Sequence, residues 1–334
     1  MHPADRGVDR TSGRPILVAH DIHRSYGTRR ALRSLSFSLA SGRVLGFLGP
    51  NGAGKTTAIR VLTTVLEPSS GRFEVDGIGS EEPIRIRRRI GVLPEGLGFP
   101  RHTSGLEYLT YYGQLYGRRQ ADARQAARDL LDTVGMSARG DSLIETYSHG
   151  MRQRLGIARA LVNDPRVVFL DEPTLGLDPR GQQELLAMIQ RIARERDTGV
   201  VLSSHLLSEI EGICDDVVIM NQGQIVAKGS VDEVLGQAGA SGPVDRTVRV
   251  RVAADRVEAA AAAIDAMAGA RVADRDPRGW LSVEVEAADG SNGDTARNRV
   301  LETLIDAGIP VLGFEVAGGR LQDVFLQLTA EAIA

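Results

Sequence analysis

Several things that decide function in other proteins are scarce or missing in this 334-residue chain. A single cysteine, Cys214, excludes an intrachain disulfide and fits a reducing compartment, with buried packing as its expected role. No apolar run approaches the roughly 18 residues needed to span a bilayer, and the opening MHPADRGVDR carries no apolar segment of signal-peptide type. The chain is therefore expected in the cytoplasm. Neither sign of charge dominates: a net charge of −3 supplies no global pull toward nucleic acid, and no nucleic-acid partner is expected. The local run Arg85, Arg87, Arg88 and Arg89 reads as a solvated helix face. Lysine is the scarcest cation, since only Lys55 and Lys228 among the 40 Lys and Arg residues are lysines.

What is present is ordinary for a globular protein. With 42% apolar and 25% charged residues, the length allows two domains and a full core in the larger one.

One of the two lysines lies in the stretch around which the chain is organised. Residues 49–57, GPNGAGKTT, follow the apolar run VLGF and precede an amphipathic segment. Gly49, Gly54, Lys55 and Thr56 satisfy the phosphate-loop pattern G-x-x-x-x-G-K-[ST], in its strand-before, helix-after context. The glycines Gly52 and Gly54 can take backbone angles closed to other residues, so successive N–H groups turn inward around a polyphosphate at a helix N-terminus. Lys55 brings one cation to the β- and γ-phosphates, and the Thr56 hydroxyl can ligate Mg²⁺. A glycine-rich turn that happens to hold a lysine would have no need of that context.

Residues 1–15 lack periodicity and read as a mobile tail. From Ile16 come short strands and turns: ILVAHDI, Leu32 to Leu39, and the strand feeding the phosphate loop. A helix is expected from about Thr56 to Val65, then strands FEVDG at 73–77 and IGVLPE at 90–95. Residues from about 100 to 163 change texture to helical spacing, as in an inserted helical subdomain: Leu106, Leu109, Tyr112, Leu115; then Leu130, Leu131, Val134; then Leu155, Ile157, Leu161. RVVFLDE at 166–172 reads as a buried parallel strand ending in two acids, and GVVLSSH at 199–205 repeats the pattern. A linker is expected at 236–246. Beyond it, TVRVRVA, an Ala-rich helix at 254–268, a strand near 270–274, WLSVEVEA, a helix at 295–307 and IPVLGFEV give a β-α-β-β-α-β order over 247–334, closed by a helix at Leu321 to Leu328. That order suggests a small ferredoxin-like domain, with Trp280 and Phe314 expected in its core.

A phosphate loop alone admits kinases, GTPases and many ATPases. Four later segments narrow the choice. Asp171 and Glu172 end a strand whose VVFL must be buried; in phosphate-loop NTPases an acid there holds Mg²⁺, and a second can polarise the attacking water. YSHGMRQR at 147–154 sets Ser148 and Gly150 at a helix start, where hydroxyl and N–H groups form a second phosphate site. Gly176-Leu177-Asp178 follows at short spacing, and His205 sits at the tip of the next strand, within reach of a γ-phosphate.

Together these segments resemble the nucleotide-binding subunit of an ATP-binding cassette transporter, over about residues 16–235. GPNGAGKTT (Gly49, Pro50, Asn51, Gly52, Ala53, Gly54, Lys55, Thr56, Thr57) resembles Walker A, YSHGMRQR the signature, VVFLDEP Walker B, GLD the D-loop with Asp178, and His205 the switch histidine. Tyr26 matches the aromatic that stacks on adenine. The resemblance implies an α/β fold: a RecA-like P-loop NTPase core with an antiparallel β subdomain and the inserted helices, beside the C-terminal ferredoxin-like unit. It implies ATP and Mg²⁺ as cofactors, with Thr56, Asp171 and Glu95 toward the metal, Glu172 acting on water, and Lys55 and His205 on the phosphates. It also implies a second copy or related subunit, so that Ser148 and Gly150 act on the partner's ATP, and a separate multi-span membrane subunit that holds the chain at the inner face of the membrane.

The sequence departs from the family pattern at three places. Glu95 stands where a glutamine is usual, which keeps an acceptor but loses the amide donors. His149 replaces a signature glycine, and Met151 a glutamine. These variants, with the QDVFLQLT ending, look most like the drug and bacteriocin exporter branch. A soluble relative working on ribosomes or DNA is the alternative, although two cassettes or a long coiled-coil insertion would be usual there. A nucleotide sensor without turnover has no need of both Asp171 and Glu172, and a kinase none of the signature.

Overall fold

The computed structural model describes residues 15–96, 98–204, 211–235, 247–276, 278–285, 293–316 and 325. The chain divides into two compact units, Met1–Val231 and Asp232–Ala334.

The first unit opens with β1 (Pro15–Tyr26) and β2 (Arg29–Ala40), followed by β3 (Val44–Leu48), α1 (Lys55–Leu62), β4 (Ser70–Val75), β5 (Ile78–Gly79), α2 (Pro83–Arg87) and β6 (Ile90–Leu93). Four of these strands make an antiparallel sheet in the order β2-β1-β4-β5. The helix expected from Thr56 to Val65 ends earlier, at Leu62. There the Thr63 hydroxyl donates to the Ile59 carbonyl at 2.7 Å and Thr64 turns to φ +60, outside helical geometry.

Three helices follow: α3 (Gly105–Leu115), α4 (Gln120–Thr133) and α5 (His149–Ala160). After them come β7 (Val167–Asp171), α6 (Pro179–Glu195), β8 (Gly199–Ser204), β9 (Asp216–Asn221) and β10 (Gln224–Ser230). The main sheet runs β10-β9-β3-β8-β7-β6, with β9, β3, β8, β7 and β6 parallel and β10 antiparallel at the edge. VLGFL, VVFLD and GVVLSS are buried at every position, as strands covered on both faces must be. One apolar cluster joins the two sheets through α1, with Phe37 edge-on to Phe47 at 5.2 Å. Cys214 is buried too, and burial pushes its thiol pKa well up, with Asp215 and Asp216 adding to the shift.

Helix α5 lies on β6 at Gly91, where a Cβ would run into the Ala160 carbonyl. Gly91→Ala is therefore expected to destabilise the first unit by about 3 kcal/mol, the upper range for an overpacked core. Denaturant unfolding checks this, and a midpoint equal to wild type would contradict the packing.

The second unit contains β11 (Thr247–Val252), α7 (Val257–Asp265), β12 (Ala270–Arg275), β13 (Trp280–Val285), α8 (Gly293–Asp306) and β14 (Val311–Val316). Its sheet, ordered β12-β13-β11-β14 with every neighbour antiparallel, is the ferredoxin-like arrangement. Val248, Val250, Leu281 and Val283 point to one face and pack with Ala260, Ile264, Val300 and Leu304 of the helices. Phe314 packs against this core, but Trp280 does not belong to it. Strand alternation puts Trp280 on the opposite face, half-buried, with the Arg249 and Arg251 guanidinium carbons 4.9 and 6.0 Å from its ring centroid. The linker expected at 236–246 and the closing helix expected at Leu321 to Leu328 lie outside the described residues, Phe325 excepted.

Candidate active site

Parallel register brings the ends of three strands to one edge of the main sheet. Leu48 of β3 lies beside Ser204 of β8, and Ser203 of β8 beside Asp171 of β7. The phosphate loop leaving β3 and the two acids at the end of β7 are thus separated by one strand. This is the edge at which open α/β sheets bind ligands.

The loop geometry follows from its glycines. At Gly49 a Cβ would come within 2.5 Å of the Met220 carbonyl oxygen, and at Gly54, where φ is +108, within 2.8 Å of that of Ala31. Both places admit glycine alone. Gly54 is the residue before α1, so the N-terminal amides of that helix open from the loop, and Gly223 of the β9–β10 turn donates its N–H to the Ala53 carbonyl at 2.9 Å. Lys55 is only 7% exposed, and its Nζ donates to the Gly49 carbonyl at 2.6 Å. Burial holds its pKa below the usual lysine range, while the charges of Glu172 and Asp171 act in the opposite direction. A buried ammonium held by a carbonyl of its own loop, at the N-terminus of α1, fits the polyphosphate of a nucleotide.

The two acids are set differently. Asp171 is buried, and its Oδ1 accepts the Ser203 hydroxyl proton at 2.6 Å. The same Ser203 oxygen accepts the Glu172 backbone N–H at 2.9 Å. Glu172 stands at φ +49, a left-handed conformation that costs on the order of 1 kcal/mol or more for a residue with a Cβ. Ser203, itself fully buried, thereby fixes the rotamer of one acid and the backbone of the other. Sequence reading missed it. The only signal was a hydroxyl residue near the end of an otherwise apolar strand. Ser203→Ala is expected to lower ATP turnover about tenfold, the value of a lost hydrogen bond to a buried carboxylate, while leaving nucleotide affinity within about twofold. Steady-state kinetics beside equilibrium binding checks the split.

A cleft of about 1140 Å³ gathers Tyr26, residues 50–57, Glu95, Glu172 and Leu175. Tyr26 is 43% exposed, with the Arg24 guanidinium 5.1 Å from the ring centroid on one face. Arg29, Arg30, Arg33, Arg60 and Gln222 also line the cleft and were not foreseen, although the Arg29-Arg30 pair beside Tyr26 was open to notice. With Lys55 they give the lining an excess of positive charge over Glu95 and Glu172, which suits a polyanion. Gly49 and Asp171 do not line the cleft. Thr56 and Asp171 offer the hard oxygen donors that Mg²⁺ prefers, and Glu95 offers another from the loop after β6.

Three expected residues stand apart from the cleft. Ser148 caps α5, its Oγ accepting the Met151 N–H at 3.3 Å, and Gly150 follows in the first turn. Asp178 precedes Pro179 at the start of α6. His205 lies outside the described residues.

A phosphate loop between a buried parallel strand and a helix, with a carboxylate pair one strand away, defines a P-loop nucleoside triphosphatase. The chain belongs to the ABC transporter family, whose profile matches residues 32–175. It is 34% identical over 316 residues to the daunorubicin resistance ATP-binding protein DrrA3 of Streptomyces coeruleorubidus, covering 94% of this chain and 96% of that one. It is 37% identical over 220 residues to the bacitracin transport ATP-binding protein BcrA of Bacillus licheniformis, covering 66% and 71%. Among solved structures, an ATP-binding subunit of an ABC transporter superposes with a TM-score of 0.60 at 29% identity, over 68% of this chain and 95% of that one. The chain is an ATP-binding cassette subunit that hydrolyses ATP, as its resemblance to the resistance-exporter branch implied.

Proposed function

We propose that this cassette pairs with a second copy or a related subunit around MgATP, and that the cycle of pairing and hydrolysis drives export of a drug or antibiotic-like compound through a separate multi-span membrane protein. The observation that carries the catalytic part is the Ser203 hydroxyl bridging Asp171 and Glu172 opposite Lys55. In this reading Lys55 and the free amides of the phosphate loop and the start of α1 hold the β- and γ-phosphates, and Tyr26 stacks on the base. Thr56 and Asp171 hold Mg²⁺, with Glu95 beside it; the ion when bound neutralises charge on the phosphate oxygens. Glu172 orients and deprotonates water, and His205 contacts the γ-phosphate. The start of α5, with Ser148 and Gly150, serves the partner's nucleotide, which accords with its standing apart from the cleft of its own chain.

The relatives' names, a daunorubicin resistance protein and a bacitracin transport protein, support the cargo class. Among the described residues no helix is long and apolar enough to cross a membrane. The export path in this reading belongs to the membrane subunit, which holds the cassette at the inner membrane face. Residues 16–235 form the ATP-binding part, and the accessory part at 247–334 steadies or regulates the pair.

The test is affinity purification of tagged chain from gently solubilised native membranes, with companions identified by mass spectrometry. A stoichiometric multi-span protein is the expected result. Ribosomal or DNA-repair companions with no membrane protein would leave the ATPase standing and overturn export.

A further inference from the structure

His149, the first residue of α5, takes the place of a signature glycine and makes a bond that glycine cannot. Its Nε2 lies 2.8 Å from the Leu175 carbonyl oxygen. A carbonyl only accepts, so Nε2 carries the proton. The ring also lies against Gly176, where a Cβ would meet Nε2 at 3.3 Å, and a Cβ at Gly150 would meet Leu177 Cδ2 at 3.4 Å. Residues 175–177 are therefore in contact with the first turn of α5. They continue a turn that begins at Glu172, whose carbonyl accepts the Leu175 N–H at 3.2 Å, while that of Thr174 accepts the Leu177 N–H at 3.1 Å. The chain thus runs from the carboxylate through one turn to a carbonyl held by the imidazole.

We propose that His149 is a positioning residue that ties the phosphate-binding end of α5 to the turn carrying Glu172. The inference rests on the paired-cassette reading above. In that arrangement α5 of one copy meets the nucleotide of its partner, while Glu172 acts on the nucleotide of its own copy. Through His149 the two ends of one subunit move together, so arrival of the partner's nucleotide at Ser148 and Gly150 is felt at the position of Glu172. A glycine at 149 leaves the same backbone amides available without that connection.

The test uses the full chain and MgATP with His149→Gly, His149→Gln and His149→Phe. His149→Gly is expected to lower kcat about fivefold, the value of one ordinary hydrogen bond, with the ATP concentration at half-saturation and the thermal midpoint nearly unchanged. His149→Gln, whose amide N–H can donate to the same carbonyl, is expected to recover most of the loss, and His149→Phe to recover none. In a Glu172→Gln background, His149→Gly is expected to lower the fraction of nucleotide-bound dimer at a fixed chain concentration. A His149→Gly protein at wild-type kcat, or a His149→Gln protein as impaired as His149→Gly, would overturn the inference. Failure of the Glu172→Gln protein itself to form a nucleotide-bound dimer would instead overturn the paired-cassette reading, and this inference with it.

Discussion

Glu172→Gln is expected to bind ATP with wild-type affinity, to lose turnover by about 10²- to 10⁴-fold, and to accumulate as a nucleotide-bound dimer. The change is nearly isosteric. The backbone N–H of residue 172 still donates to Ser203 Oγ, and the φ of +49 that aims the side chain into the cleft is still held by the turn ending at Leu175. What disappears is the basic oxygen and its charge. Lys55 and the free loop amides remain, so nucleotide binding is untouched; a complex that binds and cannot complete the reaction then persists. Phosphate release measured beside size-exclusion chromatography in MgATP reads both halves. Turnover within roughly threefold of wild type would remove Glu172 from the catalytic role.

Lys55 has the second large effect, and here the shape of the cation matters as well as its charge. Replacement by Ala is expected to weaken ATP binding by about 100-fold or more, the consequence of deleting a buried charge that meets an opposite one. Lys55→Arg is expected to recover little of it. The ammonium is a compact donor almost closed off from solvent and within 2.6 Å of the Gly49 carbonyl, and a planar guanidinium with its fork of donors does not enter the same space. This is the physical content of a lysine at this position in a chain whose other cations, Lys228 apart, are arginines. Calorimetric titration of the three proteins decides it. An Arg variant that binds within roughly threefold of wild type would mean that charge alone is required.

How much of this was legible depended on whether the signal was local. The phosphate loop, the runs VVFLDE and GVVLSSH, and the β-α-β-β-α-β order are written in consecutive residues, because strand burial and loop chirality are decided over a few positions. Ser203 was not, since its meaning arises from a strand neighbour 32 residues away in sequence. The same holds for Arg33 and Gln222, which reach the cleft when the β9–β10 turn is stitched to β2 by the Arg33 N–H donating to the Gly223 carbonyl. Trp280 was misread for a different reason. Its size suggested core, while the alternation of Leu281, Val283 and Val285 already assigned it to the other face. Early termination of α1 turned on Thr64 taking a left-handed φ, with the Val65 and Leu66 N–H groups closing back onto the Arg60 carbonyl, a turn that apolar spacing does not register.

The buried Cys214 bears on how the molecule can be followed in solution. Its thiol is buried in the first unit, and the upward shift of its pKa leaves almost no thiolate at neutral pH. Thiol-directed dyes and spin labels should ignore it in the native protein. A single cysteine introduced at an exposed position away from the cleft, such as Glu67 or Arg128, will then carry the only label, with no native thiol to remove beforehand. Distances between two such probes, one on each copy, would test whether the proposed pair opens and closes, on an unaltered interior.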